Sequence, residues 1–130
     1  MAGVTEYLAR AMAERADGVD ALVAVPRAPL RRWRTGVDPA RELAIAVGRL
    51  LAIPVIDALA APMWWPRHAG RPQSMREPIA FRSRRAVTGV VAIVDDVVTT
   101  GTTLHSAAAA LSVPPALALV ATSAGRVQVG

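Results

Sequence analysis

Nine residues near position 100 carry the most chemistry. Asp95-Asp96-Val97-Val98-Thr99-Thr100-Gly101-Thr102-Thr103 sets two adjacent carboxylates just ahead of a glycine flanked by two threonines on each side. A glycine among small hydroxyl residues at the start of a helix leaves backbone N–H groups without helical acceptors. The helix dipole favours an anion there, and the threonine hydroxyls add donors, so Thr99–Thr103 reads as a phosphate cradle. Asp95 and Asp96 cannot face that phosphate, because like charges repel. They suit either vicinal sugar hydroxyls, as acceptors, or a Mg²⁺ that the phosphates also bind. Phosphate donors beside hydroxyl acceptors describe a site for a ribose 5-phosphate. The plainer alternative, in which Asp95-Asp96 ends a strand and caps a turn, explains the acids but not the T-T-G-T-T that follows them.

Arginine is the other chemical signal. The chain carries net charge +5 with no lysine. Between Arg27 and Arg85, twelve arginines face Asp38, Glu42, Asp57 and Glu77, a local balance of +8. Such a field draws phosphates, whether of a nucleotide, a sugar phosphate or a nucleic acid. The missing lysine excludes a Walker-type phosphate loop and Schiff-base chemistry. The missing cysteine excludes a disulfide scaffold, an iron–sulfur cluster, a Cys-ligated zinc and a thiol nucleophile. His68 and His105 stand in different segments without a third ligand, so they make no metal site, and His105 reads as solvated. Trp64-Trp65 reads as a hood or subunit contact ahead of a base-stacking platform. Arg82, Arg84 and Arg85 read as a solvated turn.

The elements that must position these groups follow from periodicity. At 130 residues the chain is one domain, and with 53% apolar but 4% aromatic residues its core must be aliphatic. Thr5 caps a first helix through Leu8, Ala11, Met12 and Arg15, with Gly18 at its stop. Ala21–Val25 is a short apolar run typical of a strand covered on both faces, ended by Pro26. An arginine-rich loop spans Arg27–Val37. Asp38-Pro39 then starts a second helix through Leu43, Val47, Leu50 and Leu51, bounded by Pro54. Val55–Leu59 is a further strand candidate. Ala60–Arg85 lacks periodicity and reads as a lid or hood. Val90–Val94 is the clearest strand, ending at Asp95-Asp96; Thr103–Leu111 is a helix and Ala116–Ala121 a strand. Strands alternating with helices predict an α/β fold with an open parallel sheet flanked by helices. The uncharged stretch Val97–Gly125 is long enough for a bilayer, but Pro114-Pro115 and Gly101 divide it. The first residues carry too many charges for a signal peptide. The expectation is a soluble, cytoplasmic protein without membrane contact.

Val91–Thr103, VAIVDDVVTTGTT, resembles the signature that binds phosphoribosyl pyrophosphate (PRPP) in type I phosphoribosyltransferases over all thirteen residues. Within that class the chain resembles the ComF/GntX-like, competence-associated branch. The matches are Val25-Pro26, Arg31 to Arg34, Gly36, Asp38, Ala40, Leu43-Ala44, Gln73 and the signature itself. The resemblance implies a type I fold over about residues 19 to 122, with a reduced hood. It implies that Asp95 and Asp96 hold the ribose hydroxyls and that Thr99, Thr100, Gly101, Thr102 and Thr103 hold the 5′-phosphate. Arg27, with Arg32 or Arg34, would meet the pyrophosphate. Mg²⁺ would come with PRPP, near Asp95 and Asp96. Thr99 replaces the aspartate of 6-oxopurine salvage enzymes, which argues against that acceptor.

Two functions of different class follow. One is a PRPP-dependent phosphoribosyltransferase with an unidentified acceptor. The other is a non-catalytic PRPP- or nucleotide-binding accessory protein in DNA uptake. Thr35 before Gly36 and the short lid motivate the second; Val37 in place of an aromatic and the missing zinc ribbon are further departures from the family pattern. Partners expected are PRPP or a nucleoside 5′-phosphate, with a homodimer and nucleic acid as further expectations.

Overall fold

The computed structural model describes residues 2–26, 38–61, 80–98 and 101–123. In chain order these form α1 (Ala2–Ala13), β1 (Ala21–Ala24), α2 (Pro39–Leu51), β2 (Leu59–Ala60), β3 (Arg82–Ser83), β4 (Val91–Val98), α3 (Thr102–Ala110) and β5 (Leu117–Ser123). β1, β4 and β5 make a parallel sheet in the order β1-β4-β5. Helices lie on both faces of it, so the expected open α/β architecture is what the chain adopts.

Local chemistry sets the ends of the elements. Asp38 caps α2, its Oδ1 accepting from the Arg41 amide at 3.3 Å, and Pro39 takes the first turn, where no N–H is required. At the other end Ala52 is left-handed (φ 56°), and the Ile53 amide reaches back to the Gly48 carbonyl at 3.0 Å. That reversal is tight: a Cβ on Gly48 would lie 2.9 Å from the Ile53 carbonyl oxygen. α1 starts before the expected cap at Thr5, because residues 2–4 contain no helix breaker other than Gly3. Its last turn tightens, with Arg15 donating to Met12 and Ala16 to Ala13.

The strand expected over Val55–Leu59 is much reduced. Val55 makes one parallel bridge to Leu22, the Leu22 amide donating to Pro54 and the Ile56 amide to Leu22. The chain then kinks, Ala58 donating back to the Ile56 carbonyl. β2 leaves in another direction to pair antiparallel with β3. The kink turns Asp57 toward Arg84, whose guanidinium donates to its carboxylate at 2.8 Å, and the Arg84 amide bonds the Ala58 carbonyl. The β2–β3 pair thus joins the two ends of the expected lid, most of which lies outside the described residues.

Two aliphatic cores sandwich the sheet. Leu22, Ala92 and Val94 pack against Ala9, Met12, Leu43 and Val47 of α1 and α2. Val23, Val91 and Ile93 pack on the opposite face with Ala107, Leu111, Phe81 and Val87. Adjacent residues of β1 and β4 therefore serve different cores, which is why their sequences are continuous apolar runs.

Topology follows from these placements. From β1 the chain crosses by α2 to Val55, on the side of β1 away from β4; from β4 it crosses by α3 to β5, the opposite way. Crossovers of one hand moving in opposite directions place their helices on opposite faces. The sheet consequently has a switch point between β1 and β4, and the crevice beyond its carboxyl end is where ligands bind in open α/β sheets.

Candidate functional site

The switch point lies where the chemistry of the sequence is concentrated. β1 accompanies β4 as far as Val94, with Ala24 paired to Val94 and the Val25 amide donating to the Val94 carbonyl at 2.9 Å. Pro26 follows and has no amide to continue the ladder. β5 continues along β4 through Val97 and Val98, paired with Thr122 and Ser123. β4 therefore does not end at Val94, as its composition suggested; it runs through both aspartates to Val98. The reason is tertiary: β5 supplies a ladder that outlasts the hydrophobic run of β4.

Strand alternation separates the two carboxylates. Asp95 falls on the side of Val91 and Ile93, Asp96 on the side of Ala92 and Val94. Asp95 is buried, 7% exposed, and its Oδ1 accepts from the Asp96 amide at 2.8 Å. Asp96 is half-buried. The acids are thus unequal: one is set into the end of the sheet and holds backbone, while the other meets solvent more readily.

α3 starts at Thr102, with Gly101 as its N-cap at φ 83° and ψ −6°. That left-handed turn favours glycine. The cap has no side-chain hydrogen bond, and the first helical bond runs from the His105 amide to the Gly101 carbonyl at 2.9 Å. The His105 ring covers the glycine: a Cβ on Gly101 would lie 3.5 Å from the imidazole Cδ2. His105 itself is exposed, as its sequence position suggested. First-turn amides of an α-helix have no acceptor within the helix, which suits this end of α3 to an anion.

Asp95, Asp96, Gly101, Thr102 and Thr103 therefore belong to one strand–turn–helix unit at the switch point. Thr99, Thr100, Arg27, Arg32 and Arg34 lie outside the described residues, as do Trp64, Trp65, His68 and Gln73. Sequence reasoning missed a second group beside Pro26. Asp38, Arg41 and Asp57 ring a hollow of about 40 Å³ with Ala24, Pro26, Val55 and Ile56. The signal for it was present in the Asp38-Pro39 cap, which fixes the start of α2 beside the end of β1. A larger hollow of about 380 Å³ lies elsewhere, between α1 and β5, and Arg15 is the one charged residue among the described residues that line it.

No family model matches the chain, and no curated protein does. Among solved structures the chain is similar to a purine phosphoribosyltransferase from Pyrococcus horikoshii Ot3. The two are 20% identical, the match covers 90% of this chain and 81% of that one, and the TM-score is 0.47. No helix among the described residues is long and apolar enough to cross a membrane.

Proposed function

We propose that this chain binds PRPP across the β1/β4 switch point and transfers its 5-phosphoribosyl group to an acceptor whose identity is open. The observation that supports this reading is the strand–turn–helix unit itself. A strand carrying Asp95-Asp96 outruns its β1 neighbour and passes within a few residues into a helix capped by left-handed Gly101. The α3 end, with Thr102 and Thr103, receives the 5′-phosphate. Asp96, the more accessible acid, accepts from the ribose hydroxyls, and buried Asp95 fixes the Asp96 backbone.

In the transfer, the acceptor nucleophile bonds the anomeric carbon while that carbon's bond to the diphosphate oxygen breaks. The electron pair leaves with the diphosphate. The residues orient the sugar between acceptor and leaving group and exclude motion that would misalign them. By the family resemblance, Arg27 with Arg32 or Arg34, in the loop after β1, would meet the departing diphosphate.

A divalent cation suits this donor set. Mg²⁺ prefers ligand phosphates and water with one or two carboxylates. Among the described residues there is no cluster of three or more His, Cys, Asp or Glu that would form a cage by itself. Asp96, the more accessible acid, would help hold an ion brought in on the diphosphate. When bound, that ion would neutralise charge on the leaving group.

Isothermal calorimetry with PRPP and Mg²⁺ tests the binding, and pyrophosphate release with a panel of nucleobases tests the transfer. Binding with release is the expected result. Binding without release with any base returns the chain to the accessory-protein reading, and absence of binding overturns both.

A further inference from the structure

We infer that the acceptor carries a carboxylate and that Arg41 holds it, in the small hollow at the carboxyl ends of β1 and the segment at Val55. This inference rests on the proposed transfer and names the class of its acceptor. The hollow adjoins the ribose side of the switch point. β1 and β4 run parallel with Ala24 level with Val94, so Pro26 is level with Asp96. Ala24 and Val94 both face α1 and α2, and by alternation Pro26 and Asp96 continue that face. Pro26 also walls the hollow. One strand spacing, about 4.8 Å between backbones, therefore separates Asp96 from that wall.

Among the described residues, three charged groups line the hollow, and two of them are engaged. Asp38 Oδ1 accepts from the Arg41 amide at 3.3 Å, and Asp57 Oδ2 accepts from Arg84 at 2.8 Å. Arg41 is exposed, and its guanidinium has no partner among the described residues. The remaining walls are apolar: Ala24, Pro26, Val55 and Ile56. A guanidinium without a counter-ion beside an apolar wall suits a planar group bearing a carboxylate, which it takes through two parallel N–H bonds. Charge separates this ligand from the diphosphate. Asp38 and Asp57 line the same small space, so a multiply charged diphosphate meets more repulsion there than a single carboxylate does. Arg84 sets the condition for this. While it holds Asp57, that carboxylate is kept from Arg41. The ion pair is half-exposed, at 56% and 50%, so it adds little to stability. Its effect is on which charges the hollow offers a ligand.

Calorimetry on the full chain tests this. Ribose 5-phosphate is titrated first, and absence of binding overturns the proposed function and this inference with it. With ribose 5-phosphate present, nicotinate, picolinate and orotate are each compared with the corresponding carboxamide. At least one acid is expected to bind about tenfold more tightly than its amide. Arg41→Gln is expected to erase that preference and Arg41→Lys to keep part of it. Arg84→Ala releases Asp57 toward Arg41 and is expected to weaken the acid by about threefold; adding Asp57→Asn restores it. Ribose 5-phosphate binding with no acid preferred to its amide overturns the inference and leaves the transfer standing. So does a preference that survives Arg41→Gln, or a double variant no better than Arg84→Ala. A loss of inorganic pyrophosphate affinity in Arg41→Gln overturns it too, by assigning the guanidinium to the leaving group.

Discussion

Asp95 and Asp96 are neighbours with different work. Asp95 is buried and accepts from the Asp96 amide, so removing its oxygens leaves a partly buried donor without that acceptor. Asp95→Ala is expected to cost about 1–3 kcal/mol of stability, read as a lower urea midpoint. Asp96 is more accessible, and Asp96→Ala should leave the urea midpoint nearly unchanged while weakening PRPP binding by about tenfold or more. Calorimetry beside denaturation separates the two, and equal effects of both variants on both readouts would contradict this division. At Gly101 the left-handed turn opposes a side chain, while the His105 ring would meet a Cβ only at ordinary contact distance. Gly101→Val is expected to abolish phosphate binding and to destabilise the start of α3 by more than about 1 kcal/mol.

At the scale of elements, α2 is held at both ends by local chemistry, and one end borders the site. Asp38→Ala removes the cap and is expected to cost about 1 kcal/mol, whereas Asp38→Asn keeps an acceptor and should lie within a few tenths of wild type by urea denaturation. This cap was legible in the sequence, because Asp-Pro ahead of a 3.6-residue periodicity has one physical interpretation. β1 and the first half of β4 were legible for the same reason: four or five uncharged residues in a row belong in a doubly covered strand. The reach of β4 past Val94 was not. Two adjacent aspartates look like a strand's end, and it is the pairing with Thr122 and Ser123, far along the chain, that carries the strand on. The kink at Ile56–Ala58 was hidden likewise, since it leads into backbone pairing with β3, more than twenty residues along the chain. The candidate site was therefore visible as a motif, while the inequality of its two acids came from burial and register.

For the molecule as a whole, the sheet is a thin partition between two aliphatic cores. Val47 lies in one and Ile93 in the other, both at most 1% exposed. Ile93→Ala is expected to cost about 2–5 kcal/mol, and Val47→Ala less, in proportion to the fewer methyl groups removed. Because the cores share β1 and β4, each variant should still unfold in one transition. The double variant should equal the sum of the singles within about 0.5 kcal/mol, by chemical denaturation followed at two wavelengths. Separate transitions would mean that the two faces fold independently.

Since β4 extends beyond β1 with β5 alongside it, the ligand grip proposed above would be cantilevered from the rim of the sheet. β5, the outermost of the described strands on that side, becomes the beam that carries β4 on toward the start of α3. On the proposed function, damage there would loosen the hold on a sugar phosphate from a distance.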